Sequence, residues 1–298
     1  MSVIVTERLT KRYGRRIGVA DLNLDVPEGT LFGFLGPNGS GKTTAIRILM
    51  GFLRPTQGRA KIFGLDCWNQ GHRLRRDVGY LPGDLRLYPW LTCREGLDIF
   101  GKVRRCDLRT AGNELAAAFG LEPDVKVRNM SRGMRQKLGL ILALAHKPKL
   151  LVLDEPTSTL DPIMQGKLCQ HLRTLAACGH TVFFSSHSLA EVERLCSRVV
   201  ILRQGRLAAD ETLDDLRARA SRAVTIRWGT PAAAQETRPP AALELIERSN
   251  RHWRGTLVGP VTALVSWCAQ QPIDDISIEQ PDLNTLFQGY YADAGDDT

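Results

Sequence analysis

A glycine-rich segment near the N-terminus has the residue types and spacing of a phosphate-binding loop. It lies between a strand-like run, 30–35, and a helix-like run, 45–50, and reads Gly36-Pro37-Asn38-Gly39-Ser40-Gly41-Lys42-Thr43-Thr44. Backbone N–H groups of such a loop can turn onto phosphate oxygens because glycine has no Cβ to obstruct them. The positive end of the following helix faces the same anion. Lys42 is expected to reach the β- and γ-phosphates and Thr43 to ligate Mg²⁺. The segment therefore predicts a nucleoside triphosphate site rather than a glycine-rich turn without a ligand.

Two acidic residues, Asp154 and Glu155, follow the apolar run 150–153. A buried strand delivers its last residues to the carboxyl edge of an open α/β sheet, where ligands bind. Successive side chains of a strand point in opposite directions, so the two acids are expected to have different roles. Asp154 is predicted to hold Mg²⁺, directly or through water, and Glu155 to align the water that attacks the γ-phosphate. The alternative is a pair of acids at an exposed strand end.

Two further segments carry candidate functional residues. His187 follows the strand-like run 181–186 and is expected at the same sheet edge, where its imidazole either hydrogen-bonds the γ-phosphate or is structural. Ser131 and Gly133 precede a helix-like run. Ser131 suits an N-cap and Gly133 permits a close backbone approach. This helix start is therefore either an ordinary cap or a second anion site.

The order of strands and helices predicts an α/β fold. Strands alternate with helices after residue 150, which indicates a mostly parallel sheet with helices on its faces. The N-terminal strands and the helical middle, about 84–147, are additions to that core. We expect one domain over 1–218 and a small α/β domain over 219–298. Within the second domain the run 243–248 is predicted to be a helix.

Composition limits the classes of partner. The formal net charge is +8, and arginines occur in short clusters. Such clusters suit nucleic acid, an anionic membrane surface or a solvated surface, and we favour the last. The seven cysteines are scattered, which indicates reduced thiols in the cytosol. We expect no signal peptide, because charged residues stand within the first eight positions, where an apolar region would be needed. We expect no membrane span, because no apolar run approaches the ~20 residues that a span needs. A function at a membrane would require another chain.

The order of these motifs resembles that of the nucleotide-binding subunit of an ATP-binding cassette (ABC) transporter. The phosphate loop is followed by Ser131-Arg132-Gly133-Met134-Arg135-Gln136, by Asp154-Glu155-Pro156, by Asp161 and by His187. The resemblance covers about residues 3–210. It implies a P-loop cassette that hydrolyses ATP with Mg²⁺, as a homodimer or heterodimer with two ATP molecules between head-to-tail subunits.

The resemblance also implies a role for each matching residue. Tyr13 corresponds to the aromatic residue that stacks on adenine. The segment Ser131, Arg132, Gly133 and Met134 corresponds to the signature that touches the γ-phosphate bound by the other subunit, and Asp161 to a loop that crosses the dimer interface. Glu155 would be the catalytic carboxylate and His187 the γ-phosphate sensor.

Two residues depart from the family pattern, and they resemble one subgroup of the family. Arg132 replaces the first of two signature glycines. Gly83 replaces a Gln that contacts Mg²⁺ and links ATP to the membrane partner, and either Asp84 or water would substitute for it. Both departures, and the tail segment 281–287, resemble the subgroup serving compact (ABC-2-type) exporters with separate permease chains.

The expected protein is therefore a cytoplasmic ATPase subunit held at the inner face of the membrane by its permease, without a dedicated nucleic-acid partner. The alternative is a soluble ABC ATPase acting on nucleic acid or ribosomes. Tyr88 and Trp90 are expected either near the permease or in the core of the helical subdomain.

Overall fold

The computed structural model describes residues 1–257, 259–280, 283 and 287, so the rest of the tail segment 281–287 lies outside the described residues. Contacts divide the chain into two compact units, Met1–Asp210 and Glu211–Thr298. The sequence-based boundary follows residue 218.

The first unit contains ten strands, the last of which crosses the unit boundary, and seven helices. The strands are β1 Ser2–Tyr13, β2 Arg16–Pro27, β3 Leu31–Leu35, β4 Gln57–Ile62, β5 Leu65–Asp66, β6 Val78–Leu81, β7 Leu150–Asp154, β8 Thr181–Ser186, β9 Arg198–Arg203 and β10 Arg206–Thr212. The helices are α1 Lys42–Leu49, α2 Gly71–Leu74, α3 Cys93–Arg104, α4 Arg109–Phe119, α5 Arg132–Leu144, α6 Pro162–Ala177 and α7 Leu189–Leu195.

A six-stranded sheet with the order β10-β9-β3-β8-β7-β6 forms the centre of this unit. The pairs β9/β3, β3/β8, β8/β7 and β7/β6 are parallel. All residues of β7 and β8 are buried, as expected for strands covered on both faces. The parallel pairing brings the carboxyl ends of β3, β7 and β8 to one sheet edge. The predicted α/β core is confirmed.

Two additions complete the first unit. Strands β2, β1, β4 and β5 form a second, antiparallel sheet. Its apolar residues share one core with α1 and β3, including Ile4, Leu22, Ile46 and Phe34. Helices α3, α4 and α5 contact one another and lie in sequence between β6 and β7. The antiparallel addition and the helical middle therefore flank the parallel sheet.

The second unit contains α8 Leu213–Arg219, β11 Arg222–Trp228, α9 Pro231–Glu236, β12 Leu243–Arg248, β13 His252–Leu257, α10 Val261–Cys268 and β14 Ile273–Ile278. From β11 onward the order is βαββαβ, and the sheet order is β12-β13-β11-β14 with antiparallel pairs. This is the split βαβ arrangement called ferredoxin-like. Its core includes Trp228 and Trp253, whose ring centroids are 4.7 Å apart.

One predicted element of the second unit is wrong. The run Leu243–Arg248 is strand β12 and not a helix. It pairs with β13, so that Leu243 lies opposite Leu257 and both side chains are buried in the core of the unit. Pairing with a partner strand and burial against it outweigh the weak helix preference of Leu and Glu.

Candidate functional site

The glycine-rich segment connects β3 to α1 at the carboxyl edge of the parallel sheet. Gly41 has φ +108°, and a Cβ there would lie 2.2 Å from the carbonyl oxygen of Gly18, so this turn requires glycine. The Lys42 ammonium is buried and donates to the carbonyl oxygens of Gly36 at 2.6 Å and Pro37 at 3.3 Å. The loop thus wraps around a lysine ammonium at the start of a helix, the arrangement that binds phosphate.

A cavity of about 570 Å³ opens beside this loop, within the ~300–1,000 Å³ of small-molecule sites. Tyr13 and Glu155 line it together with most of the phosphate loop. The Tyr13 ring is half-exposed, and the Lys11 ammonium lies 5.5 Å from its centroid. Arg16 and Arg47 also line the cavity. Neither residue was singled out from the sequence. Arg16 belongs to the arginine clusters interpreted as a solvated surface, and Arg47 lies in the helix-like run after the phosphate loop.

Asp154, at the end of β7, is fully buried and held by two hydroxyl groups. Thr43 Oγ1 donates to its Oδ2 at 2.9 Å, and Ser185 Oγ donates to its Oδ1 at 2.6 Å. Burial, and next the negative charge of Asp154, raise the pKa of the nearby Tyr80 to about 12. Ser185 is a supporting residue that the sequence did not single out, although it precedes His187 on the same strand end.

Glu155 contacts both the phosphate-loop lysine and His187. One carboxylate oxygen, Oε1, lies 3.2 Å from Lys42 Nζ, and the other, Oε2, lies 2.7 Å from His187 Nδ1. The backbone of Glu155 adopts φ +50°, an uncommon conformation for a residue with a side chain. Its N–H is directed at Ser185, with the carbonyl oxygen at 3.2 Å and Oγ at 3.1 Å. β8 therefore fixes the turn that aims Glu155 at the phosphate loop.

His187 is half-exposed, and its position follows from the segment just before it. Ser186 Oγ donates to Glu191 Oε2 at 2.6 Å and accepts from the N–H of Ser188 at 2.9 Å. These bonds hold the chain on either side of His187. Of the predicted residues, Tyr13, Lys42, Thr43 and Glu155 line one cavity. Asp154 contacts Thr43, and His187 contacts Glu155.

The segment 131–134 caps a helix outside this cluster. Ser131 accepts from the N–H of Met134 at 3.2 Å and is the N-cap of α5. Both Ser131 and Arg132 are exposed. Gln136, one helical turn later, donates to the carbonyl oxygen of Pro156 at 3.0 Å and so connects α5 to the segment after Glu155. Among the described residues that line the cavity, none comes from 131–134.

Asp161 also lies outside the cavity lining given by the described part of the chain. It is exposed and caps α6, where its carboxylate accepts from the N–H of Met164 at 2.9 Å. That hydrogen bond holds the pKa of Asp161 below its usual value. Within one chain, Asp161 is therefore a helix cap on the surface.

Comparison with known proteins shows which family the chain resembles in sequence. Residues 19–158 match the ABC transporter family. The bacitracin transport ATP-binding protein BcrA of Bacillus licheniformis is 39% identical over 221 residues, which cover 73% of this chain and 72% of that protein. The daunorubicin resistance ATP-binding protein DrrA2 of Streptomyces coeruleorubidus is 39% identical over 218 residues, 71% of this chain and 67% of that one.

The chain belongs to the ABC transporter family. Solved structures agree with this assignment. An ATP-binding subunit of an ABC transporter superposes with a TM-score of 0.68 at 29% identity, over 72% of this chain and 92% of the other. The ATP-binding cassette MJ0796, solved as a dimer in a post-hydrolysis state with ADP and Pi, superposes with a TM-score of 0.64 at 27% identity. The match covers 70% of this chain and 98% of the other. The predicted family and cassette fold are confirmed.

The family also decides the activity. The chain is an ATP-binding, ATP-hydrolysing subunit, as the phosphate loop and the two acids predicted, and the nucleic-acid alternative is not favoured. None of the helices among the described residues has the length and apolar composition of a membrane span.

Proposed function

We propose that this chain powers export through a separate membrane permease, as one of two ATPase subunits on the cytoplasmic side of the membrane. Relatives named for bacitracin transport, daunorubicin resistance and Nod factor export support this direction. The observation that carries the enzymatic part is the contact of Glu155 with both Lys42 and His187.

The residues in and beside the cavity have different roles in ATP binding and hydrolysis. Backbone N–H groups of the phosphate loop and the α1 N-terminus hold the phosphates, and Tyr13 stacks on adenine. Lys42 exchanges its bond to Glu155 for phosphate oxygens. The freed Glu155 carboxylate then orients a water molecule in line with the γ-phosphate, and His187 donates a hydrogen bond to that phosphate.

The residues around Asp154 fit a magnesium ion. Asp154 is a buried carboxylate held by the hydroxyls of Thr43 and Ser185, and no described Lys, Arg or His forms an ion pair with it within 4 Å. Among the described residues, no group of three or more His, Cys, Asp or Glu is placed to hold a metal ion by itself. Mg²⁺ is commonly bound through one or two protein groups plus the phosphates of its substrate. Mg²⁺ at Asp154 and Thr43 would neutralise charge on the phosphate oxygens.

A second subunit is needed to complete the site. Ser131, Arg132, Gly133 and Met134 are separate from the cavity of their own chain, and the first two are exposed. We assign them to the γ-phosphate held by a head-to-tail partner, where the α5 N-terminus offers its N–H groups to the anion. Asp161 lies on the surface and is assigned to the same interface.

A surface groove is proposed to receive the permease. Its apolar lining includes Phe52, Leu85 and Phe100, and Arg75 lies 5.2 Å from the Phe52 ring centroid. Close to it in sequence, Tyr88 and Trp90 are stacked at 5.6 Å with 69% and 50% of their surfaces exposed. Such exposure argues against the alternative that they form the core of the helical subdomain. Exposed aromatic pairs suit a partner helix.

Photocrosslinking tests this assignment. A photoreactive residue in place of Tyr88 or Trp90 is expected to crosslink the full-length chain to an integral membrane protein in native membranes. The same probe at the exposed Glu122 is the matched control and should give no such product. Crosslinks to ribosomal protein or nucleic acid, or none from either aromatic position, would reject the permease assignment.

A further inference from the structure

Gly83 lies directly beside the carboxylate of Asp154. A Cβ at position 83 would be 3.1 Å from Asp154 Oδ2 and 3.3 Å from its Cγ, closer than side chains normally approach. The oxygen concerned is the one that accepts from Thr43 Oγ1. Position 83, where the resembled family has Gln, is therefore a glycine with no free space for a Cβ beside the carboxylate proposed to hold the metal.

The need for glycine here is spatial and not conformational. Gly83 is not among the described residues with positive φ, so alanine could adopt its backbone geometry. Glycines elsewhere in the chain, such as Gly166 in α6, have no atom within 4 Å of an added Cβ. The two positions therefore differ in the free space around a Cβ, and this difference allows a matched control.

Neither neighbour of an added Cβ can readily move. Asp154 is fully buried and fixed by hydroxyls on both oxygens. The segment that carries Gly83 is anchored on either side, because Leu81 and Leu85 both reach Gly139 of α5. A Cβ on Gly139 would lie 2.7 Å from Leu81 Cδ1 and 2.6 Å from Leu85 Cδ2. A side chain at 83 would therefore displace the carboxylate, the Thr43 hydroxyl or both.

Asp84 does not take the place of the missing Gln in this structure. It forms an ion pair with Arg86, with 2.9 Å between Oδ2 and Nη2, and both side chains are largely exposed. At position 83 itself, Asp154 faces a backbone without a side chain.

We propose that Gly83 is a positioning residue for Asp154: its lack of a side chain keeps the carboxylate where it would hold Mg²⁺ together with Thr43. The proposal rests on the magnesium role of Asp154 in the proposed function. The proposal predicts that a change at residue 83 alters the Mg²⁺ concentration that nucleotide binding requires. Nucleotide binding measured without Mg²⁺ should not change.

The test is a titration of Mg²⁺ against binding of a fluorescent ATP analogue to the full-length chain. We expect Gly83→Ala to raise the Mg²⁺ concentration for half-maximal binding about tenfold, the size typical of a displaced supporting group. Binding of the analogue in EDTA should stay unchanged. Gly83→Gln should behave like Gly83→Ala, since both add the same Cβ, whereas Gly166→Ala and Asp84→Asn should match the wild type.

Several outcomes would overturn the proposal. A wild-type Mg²⁺ requirement in Gly83→Ala would do so, as would a lower requirement in Gly83→Gln, which would show that a side chain there supplies a ligand. A wild-type chain whose binding of the analogue ignores Mg²⁺ would instead refute the magnesium role itself. Should the variants not fold, a crystal structure of the wild-type chain with Mg²⁺ and nucleotide decides: an Asp84 ligand to the metal contradicts the proposal.

Discussion

Nδ1 of His187 lies 2.7 Å from Oε2 of Glu155, although the two residues are on different strand ends and 32 positions apart in the chain. The other carboxylate oxygen of Glu155 faces the phosphate-loop lysine. The proposed catalytic base is therefore held between the group that binds the phosphates and the group that senses the γ-phosphate. Each of these contacts must rearrange when the phosphates enter, so the three side chains are expected to act as one unit.

Glu155→Gln should stop turnover without loss of ATP binding. The amide has nearly the same shape but neither accepts a proton nor carries charge, and loss of a general base costs at least ~100-fold in rate. Phosphate release measures the rate, and analytical ultracentrifugation with ATP should detect a stabilised dimer. The exposed Glu122→Gln is the control and should hydrolyse ATP normally. Unchanged hydrolysis in Glu155→Gln would reject the assignment of the base.

His187→Ala should lower hydrolysis by about 100-fold, the cost typical of one lost donor to a developing negative charge. Because His187 and Glu155 touch, their effects should not add: the double variant Glu155→Gln/His187→Ala should be no slower than Glu155→Gln alone. Single-turnover phosphate release compares the three. Fully additive losses would mean that the 2.7 Å contact has no part in the chemistry.

The sequence predicts those parts of the site that local patterns determine. The phosphate loop, Asp154 and Glu155 follow from spacing and from a buried strand. The family resemblance needs, in addition, the segment 131–136, Asp161 and His187 in their order along the chain. Ser185 could not be predicted, because its role depends on β8 lying beside β7, a contact between residues 31 positions apart. Strand β12 was predicted as a helix for the same reason, since its pairing with β13 appears only in the folded sheet. The position of Gly83 against Asp154 likewise depends on the pairing of β6 with β7.

Two inactive variants should restore activity when they are mixed. Lys42→Ala removes the phosphate contact of its own chain, and Ser131→Arg blocks the segment proposed to serve the partner. A mixed head-to-tail dimer has one site with both defects and one with neither. With random pairing, an equal mixture should recover about a quarter of wild-type phosphate release. No recovery, from variants that still dimerise, would exclude a composite site shared by two copies of this chain.

Stability should fall on acidification because of His146, which follows α5. Burial, and next the positive charge of Arg104, lower its pKa from 6.5 to about 4. The unfolded chain therefore binds more protons between these values, and the stabilisation present above pH 6.5 is lost as pH falls toward 4, by at most about 3 kcal/mol. We expect urea unfolding to show that the free energy of unfolding falls less between pH 7 and pH 5 in His146→Phe than in the wild type. The exposed His72→Phe should not change the loss, and an equal loss in His146→Phe would assign the acid sensitivity to other groups.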